Sequence, residues 1–151
     1  MIDTTLCYIK KDGKYLLLNR NRKENDLNKG KWIGVGGKCE KGETPEQCVR
    51  RETLEETGLT LGKVHYYGII HFRSDTWEDE EMHLFGSSDF SGELAEDCAE
   101  GTLAWIPEEE VPGLPAWEGD RLFLTRMLAG ETQIELTLRY EGDRLAEWSE
   151  P

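Results

Sequence analysis

Residues 37–59 read GKCEKGETPEQCVRRETLEETGL, a glycine-rich loop that runs into a segment crowded with carboxylates. Thr44 is a favourable N-cap, Pro45 suits the first helical position, and Gln47 completes a capping box. Gly58 is well placed to end a helix in a left-handed turn. These signals predict a helix that begins at Pro45 and ends just before Gly58.

One face of this predicted helix carries three carboxylates. With about 100° of rotation per residue, Glu52, Glu55 and Glu56 share a side. Cys48 and Val49 start the same stripe one turn earlier, which points the stripe inward. Such charges repel one another and raise one another's pKa unless a hard cation such as Mg²⁺ lies between them. The pattern favours a metal site, and a solvated face with charges paired along the helix is the alternative.

The same stretch resembles the Nudix box, G-x5-E-x7-R-E-U-x-E-E-x-G-U, in which U is apolar. The fixed positions are filled at the right spacing by Gly37, Glu43, Arg51, Glu52, Glu55, Glu56, Gly58 and Leu59. Thr53 departs from the pattern at one apolar position, although a β-branched residue can still pack there. The resemblance implies an α/β fold, the Nudix α/β/α sandwich with a mixed β-sheet. It also implies hydrolysis of a nucleoside diphosphate linked to another moiety.

The resemblance extends to a metal site. In Nudix enzymes a carbonyl in the turn before the box also binds metal, and Gly36 is the matching position. In the branch that acts on oxidised purine triphosphates, a glutamate before a later strand reaches the metals, and Glu100 matches it, five residues before Trp105. One more exposed acid in an acidic loop is the alternative for Glu100. The implied ligands of Mg²⁺, or of Mn²⁺, are Gly36, Glu52, Glu55, Glu56 and Glu100.

The candidate catalytic residues are Glu55, Glu56 and Glu100. A carboxylate that is not fully engaged by metal can take a proton from the attacking water. Glu56 and Glu100 remain alternatives for this general base. We expect Arg51 to orient Glu43 and the loop rather than to touch substrate.

The substrate side of the resemblance rests on residues 30–38, 100–105 and 117–120, which look like the MutT-like branch. Members of that branch, the 8-oxo-dGTP diphosphatases, convert oxidised purine triphosphates to monophosphate and pyrophosphate. The implied substrate-binding residues are Trp117, Asp120 and Lys38.

Two positions govern the expected recognition of the base. We expect Trp117 at a helix entrance, standing out to stack on a purine, with Asp120 reaching the purine edge. A hydrophobic staple and a helix-start acid are the alternatives for these two residues. The chain departs from the branch at Ile33, where mammalian members have a base-contacting asparagine, and at Gly119, which replaces the first of two aspartates.

Composition limits the class of function. The chain has 151 residues, 37% of them hydrophobic, and a formal net charge of −13. We expect a single Nudix domain over residues 1–151. The acidic balance argues against nucleic acid as a partner, and it suits a nucleotide substrate only when divalent cations bridge carboxylates to phosphates.

The expected location is the cytoplasm. There is no apolar run of membrane length, and residues 1–3 open no signal peptide. The four cysteines show no metal spacing and are interpreted as reduced thiols. Cys39 in the glycine loop is interpreted as a filler, because no histidine is near it in sequence. The oligomeric state stays open.

Outside the box, the pattern predicts strands and one further helix. The strands are expected at residues 4–10, 14–19, 32–37, 63–73, 82–88, 101–107, 132–140 and 144–148, with hairpins at both ends of the chain. An apolar stripe predicts a helix over residues 118–129, closed by Gly130. His65 and His71 share a face if their strand is regular, and both are interpreted as structural because Mg²⁺ avoids imidazole. Residues 74–81 are expected to form a solvated acidic turn.

Residues 20–31 form a polar segment with the densest positive cluster of the chain. A solvated loop is the favoured interpretation, and a phosphate-facing rim beside the metal site is the alternative. The bases of this cluster are Arg20, Arg22, Lys23, Lys29 and Lys31.

Two other functions are open. The chain can be a Nudix hydrolase of another nucleotide, such as ADP-ribose, a dinucleoside polyphosphate or capped RNA. It can also be a non-catalytic Nudix module that senses a nucleotide, although such modules commonly lose box glutamates and none is lost here.

Overall fold

The computed structural model describes residues 1–21, 30–98 and 100–151. Its strands are β1 (Ile2–Lys11), β2 (Lys14–Arg20), β3 (Trp32–Ile33), β4 (Thr60–Leu61), β5 (His65–Ser74), β6 (Glu80–Ser87), β7 (Phe90–Ser91), β8 (Asp97–Cys98), β9 (Gly101–Pro107), β10 (Ile134–Glu141) and β11 (Arg144–Ser149). The helices are α1 (Pro45–Thr57) and α2 (Asp120–Leu128), with a 3₁₀ helix at Glu108–Gly113.

The main sheet is mixed, as predicted. Its order is β11-β10-β5-β6-β1-β2-β9-β8, and β3 adds to β2. β1 runs parallel to β6 and β10 runs parallel to β5, whereas the other pairs are antiparallel. β4 and β7 form a separate two-stranded sheet. The C-terminal hairpin therefore extends the sheet through β5.

The sheet is covered by one helix on each face. β1 is buried on both sides, so its side chains alternate between two cores. Leu6 and Tyr8 belong to the core with Phe123 of α2. Cys7 and Ile9 belong to the core that contains α1 residues. This is the predicted α/β/α sandwich.

The boundaries of α1 and of the two terminal hairpins agree with the sequence analysis. α2 begins at Asp120 rather than at residue 118, and the 3₁₀ helix continues past Pro112 to Gly113. Between the predicted strands at residues 82–88 and 101–107, the structure adds the short strands β7 and β8. Of the predicted polar loop, residues 22–29 lie outside the described residues, including Arg22, Lys23 and Lys29.

The predicted strand over residues 32–37 is wrong after Ile33. Beyond that point only isolated bridges join it to β1, at Val35 and Lys38. The glycines bring the backbone too close for a regular ladder, since a Cβ on Gly36 would lie 2.1 Å from the carbonyl oxygen of Thr5.

The prediction that His65 and His71 share a face is also wrong. A bulge between Tyr66 and Gly68 adds one residue to β5. The partners of the two histidines on β6, Gly86 and Glu81, are an odd number of residues apart, so the two side chains lie on opposite faces.

In the described parts of the chain, every helix is too short or too polar to cross a membrane.

Candidate active site

Specific caps fix the two ends of α1. The Thr44 hydroxyl accepts a hydrogen bond from the N–H of Gln47 at 3.1 Å, and the Gln47 side chain accepts one from the N–H of Thr44 at 2.9 Å. Gly58 ends the helix at a φ of 78°. This is the predicted capping box with its left-handed stop.

Glu56 is the buried carboxylate of this helix, with 6% of its surface exposed. Its Oε1 accepts a hydrogen bond from the N–H of Gly36 at 2.7 Å. Without a cation, burial raises the pKa of Glu56 to about 8, and the charges of Glu100 and Glu52 act in the same direction. The Gly36 N–H and Arg20 oppose the shift. A carboxylate at this position therefore needs a positive partner to stay ionised at neutral pH.

Glu56 and Glu100 converge with Cys98. One ligand atom of each side chain lies within 4.8 Å of the ligand atoms of the other two. Carboxylate oxygens suit Mg²⁺ or Mn²⁺, whereas a thiol is a softer ligand. The two glutamates of this group therefore fit the predicted metal. The presence of Cys98 beside them was not predicted, because the spacing of the four cysteines in the sequence gives no sign of a metal site.

The glycine loop leaves room for the second cavity carboxylate, Glu52. A Cβ on Gly37 would lie 2.5 Å from Glu52 Oε2, so only glycine permits the carboxylate to lie against the loop. Gly36, Gly37 and Glu52 all line one cavity together with Glu56 and Glu100.

Glu55 is not brought into this group. Its side chain is 58% exposed and it pairs with Arg51 Nη1 at 3.2 Å. Because consecutive helical residues differ by about 100°, Glu55 stands one step round the helix from Glu56, at the edge of the buried stripe. The cavity wall contains Glu52 and Glu56 but not Glu55.

The cavity has a volume of about 430 Å³, and its lining contains two groups of different chemistry. The convergent carboxylates of Glu56 and Glu100 define what we call the carboxylate end, and the packed rings of Phe72, Trp117 and Tyr140 define the aromatic end. The lining also contains two cations, Arg20 and Lys38, and the apolar side chains of Ile33, Ile70, Met82 and Leu138. Trp117 and Asp120 also line the cavity.

Trp117 is part of an aromatic cluster and does not stand out at a helix entrance. It is 6% exposed, and its ring lies edge-on to Tyr140 at 4.9 Å and to Phe72 at 5.8 Å between centroids. Lys31 Nζ lies 4.6 Å from the centre of the indole. Tyr140 in turn accepts a hydrogen bond from the N–H of Gly119 at 2.7 Å, which ties β10 to the start of α2.

Asp120 is the first residue of α2 and is 7% exposed. None of the described residues donates a hydrogen bond to its carboxyl group. Burial raises the pKa of Asp120 to about 7, and Lys31 only partly opposes the shift. An acid of this kind is in part protonated at neutral pH, and its proton can be donated to a ligand while its other oxygen accepts.

Comparison with known proteins now identifies the family. The sequence profile of the NUDIX domain matches residues 3–127. The chain belongs to the Nudix family. Oxidized purine nucleoside triphosphate hydrolase of Danio rerio is 37% identical over 126 residues, which cover 82% of this chain and 78% of that protein. CTP pyrophosphohydrolase of Escherichia coli (strain K12) is 30% identical over 131 residues, 85% of this chain and 93% of that protein.

A solved structure gives the same assignment. The crystal structure of a MutT protein from Bacillus halodurans matches with a TM-score of 0.89 and 28% identity, covering 100% of both chains. The Nudix box is therefore the loop and helix that carry Glu52 and Glu56, and the chain is a Nudix hydrolase.

Sequence reasoning missed several residues of this Nudix cavity. Glu80 was assigned to a solvated acidic turn but lines the cavity. Phe72 and Tyr140 lie in predicted strands, and the apolar pattern of these strands gives no sign of a ligand site. Arg20 lines the cavity and Lys31 lies over the ring of Trp117. Both did carry a signal, because they belong to the basic cluster for which a phosphate-facing rim was the alternative.

Proposed function

We propose that this Nudix hydrolase uses Mg²⁺ to hydrolyse oxidised purine nucleoside triphosphates, such as 8-oxo-dGTP, to monophosphate and pyrophosphate. The observation that carries the proposal is that one cavity joins the carboxylates of Glu52, Glu56 and Glu100 to an aromatic end with a buried acid. A nucleoside triphosphate has the same two parts, an anionic chain that needs cations and a flat base that needs stacking. The Danio rerio relative, an oxidized purine nucleoside triphosphate hydrolase, is consistent with it.

The carboxylate end would hold the metal through Glu52, Glu56, Glu100 and the carbonyl of Gly36. Glu55 is proposed as a further ligand, because only a surface ion pair with Arg51 holds it away and such pairs contribute little. Bound Mg²⁺ supplies charge neutralisation and lowers the pKa of water.

The reaction is attack of water on a phosphorus of the anhydride. The anhydride P–O bond between the α- and β-phosphates breaks, so that one product is the monophosphate and the other is pyrophosphate. A carboxylate accepts the proton that water loses. Glu56 and Glu100 are the candidates, since their ligand atoms lie within one 4.8 Å group. Arg20 and Lys38, which line the same cavity, would supply positive charge for the phosphates.

The aromatic end is proposed to receive the base. Trp117 and Phe72 offer apolar surface, and Asp120 offers a carboxyl group that no described residue bonds. A partly protonated Asp120 both donates and accepts, which matches the mixed donors and acceptors of an oxidised guanine edge. Ile33 adds apolar contact but no hydrogen bond, so the selection of the base falls to other residues of the cavity.

The test is Mg²⁺-dependent pyrophosphate release measured across a panel of nucleotides. We expect the highest kcat/KM on 8-oxo-dGTP and no turnover without a divalent cation. Trp117→Ala and Asp120→Asn should raise KM for 8-oxo-dGTP or reduce its preference over dGTP. Trp77→Ala, at an exposed tryptophan, is the matched control. Equal small losses on both nucleotides with a lower melting temperature would make Trp117 and Asp120 scaffold.

A second candidate is hydrolysis of another nucleotide. The observation that favours it is Ile33, which replaces the base-contacting asparagine of the mammalian members. The CTP pyrophosphohydrolase relative makes a pyrimidine triphosphate the alternative to include first. A kcat/KM on CTP above that on every purine triphosphate would decide for it.

A further inference from the structure

Strand register places Glu80 on the wall of the cavity. Glu80 of β6 pairs with Phe72 of β5, and Phe72 pairs with Leu138 of β10. Directly paired residues point to the same face of a sheet, so these three side chains form one row across it. All three line the cavity. A carboxylate therefore stands beside the ring of Phe72, which itself lies edge-on to Trp117.

The carboxyl group of Glu80 has one hydrogen-bond partner among the described residues. Thr4 Oγ1 donates to Glu80 Oε2 at 3.2 Å. Burial raises the pKa of Glu80. The hydrogen bond from Thr4 and the charge of Lys38 lower this pKa, but they do not cancel the effect of burial. Glu80 is half-buried, and no ion pair with it is found within the described residues. Partial removal from water is unfavourable for a carboxylate that has no such partner. Oε1 is left to bond a ligand.

Glu81, the next residue along β6, has the ion-pair partners that Glu80 lacks among the described residues. Glu81 points to the opposite face, where Arg73 donates to it at 2.7 Å and His71 lies in contact with its other oxygen. Its charge is thus compensated within the protein. Glu80 has no direct ion pair of this kind among the described residues, and the charge of Lys38 compensates it only in part. Glu80 lines the cavity, whereas Glu81 does not.

The chemistry of the wall narrows what Glu80 can bind. A carboxylate repels phosphate, and Glu80 is outside the convergent ligand group of Glu56, Cys98 and Glu100. Its neighbours in the row, Phe72 and Leu138, are apolar and suit the flat face of a base. An ionised carboxylate only accepts hydrogen bonds, so the matching ligand group is an N–H donor on the edge of that base.

We propose that Glu80 is a specificity-determining residue that accepts a hydrogen bond from an exocyclic amino group of the substrate purine. The proposal rests on the proposed function, because it requires that the aromatic end holds a purine base. It distinguishes amino-bearing purines, guanine and adenine, from hypoxanthine, which lacks both amino groups. Glu80 acts on the choice of base and not on the chemical step.

The test compares triphosphates whose bases differ in their exocyclic amino groups. Guanine has one at C2, adenine has one at C6, and hypoxanthine has neither. kcat/KM is measured on dGTP, dATP and dITP, and on 8-oxo-dGTP and 8-oxo-dITP, for the wild type, Glu80→Gln and Glu80→Met. We expect the wild type to prefer an amino-bearing base over hypoxanthine roughly 10- to 100-fold, the effect of a hydrogen bond to a charged group. Glu80→Met should bring the ratio close to one, mainly through KM. Glu80→Gln keeps an acceptor oxygen and should retain part of the preference.

Glu81→Gln is the matched control, since it changes the same group on the opposite face and should leave the ratio unaltered. Titration calorimetry with the monophosphates dGMP, dAMP and dIMP gives a second readout that does not depend on catalysis or metal. Calorimetry can also be applied to a variant with low activity, provided that the melting curve of that variant shows a folded protein. The guanine and adenine arms identify which amino group is bound.

The outcomes separate the two proposals. Wild-type turnover of purine triphosphates with the same base ratio in the wild type and Glu80→Met overturns the role of Glu80 and leaves the proposed function standing. Absence of purine turnover and of purine monophosphate binding in the wild type overturns both. A lost ratio in Glu80→Met that Glu81→Gln does not reproduce supports the inference.

Discussion

Arg51 and Glu43 form a two-point ion pair, with Nε 2.7 Å from Oε2 and Nη2 2.9 Å from Oε1. Nη2 also donates to the carbonyl oxygen of Lys38 at 3.0 Å, and Nη1 donates to Glu52 at 2.8 Å. The hydrogen bonds from Arg51 are the main reason that the pKa of Glu43 falls to about 2. One side chain thereby joins α1 to the glycine loop and fixes a cavity carboxylate, as the interpretation of Arg51 as an orienting residue requires.

Replacing this guanidinium should weaken the site without unfolding the protein. The Arg51→Lys variant keeps the positive charge at this position. A lysine ammonium group cannot donate to Glu43, Glu52 and the loop carbonyl at the same time. We expect activity or metal affinity to fall about 10- to 100-fold, the usual effect of a residue that orients metal ligands. Arg50→Lys is the control, since Arg50 bonds Glu46 and the carbonyl of Leu61 instead. Equal activities of the two variants would contradict the orienting role.

Removing a convergent carboxylate should abolish turnover while the fold remains. For Glu56→Gln and Glu100→Gln we expect kcat to fall on the order of 10²-fold or more. Millimolar Mg²⁺ should raise the melting temperature of the wild type, because the cation binds only the folded form, and this rise should shrink in both variants. Glu46→Gln, at an exposed position of the same helix, should behave as the wild type.

The same assay decides the role of Glu55. Its exposed position predicts a smaller loss for Glu55→Gln than for Glu56→Gln. Unchanged turnover and an unchanged Mg²⁺ shift would remove Glu55 from the proposed ligands. A melting curve of the wild type that is indifferent to Mg²⁺, with activity also absent, would favour the sensing module.

The fold could be predicted from sequence where local signals are strong. The caps at Thr44 and Gly58 determine the first and last residues of α1, since each cap requires a specific side chain or backbone conformation. The identity of the fold came from the spacing of the box, which a single sequence displays. The irregular segments were harder, because the backbone beyond Ile33 and the bulge at Tyr67 depend on how close a neighbouring strand lies.

The candidate site was predicted in part for the same reason. Helical spacing places Glu52 and Glu56 together, since both lie on one element. Glu80 and Tyr140 reach the cavity through the register of β6 and β10, and no periodicity in their own segments records which strands will be neighbours. Trp117 was expected at the surface because it precedes a helix, whereas packing against β5 and β10 buries it.

Thr53 offers a test of the one departure from the apolar pattern of the box. It is fully buried in α1, and among the described residues its Oγ1 is a buried side-chain atom without a hydrogen-bond partner. Valine has the same shape and no hydroxyl, so Thr53→Val should raise the free energy of unfolding by about 1 kcal/mol. Chemical denaturation measures the change.

Thr57→Val is the matched control on the next turn of the helix. The Thr57 hydroxyl donates to the carbonyl of Thr53 at 2.6 Å and accepts from the N–H of Leu59 at 3.0 Å. Removing this hydroxyl leaves the buried N–H of Leu59 without its acceptor. Thr57→Val should therefore lower the free energy of unfolding by about 1–3 kcal/mol. Destabilisation by both substitutions would mean that the Thr53 hydroxyl is bonded in solution.

Asp120 should make stability depend on pH in a way that Asp120→Asn removes. Burial raises its folded-state pKa from 3.8 to about 7. Only well below pH 3.8 do both states carry the proton. As pH rises to 7 the unfolded state loses its proton first, so this group's contribution to stability is progressively lost. Asparagine never ionises. The unfolding free energy of Asp120→Asn minus that of the wild type should therefore increase between pH 4 and pH 7, by at most about 4 kcal/mol.

Using a difference between two proteins cancels the titration of every group that the substitution does not affect. Asp75→Asn is the control, because hydrogen bonds, first that from the Gly142 N–H, lower the pKa of Asp75. Its contribution is lost only as pH falls below 4, so its difference curve should be flat from pH 4 to pH 7. Urea denaturation at four or five pH values in that range measures both curves. A flat curve for Asp120→Asn would mean that the carboxyl group is hydrated in solution, and the proton it is proposed to donate to the base would then be missing at neutral pH.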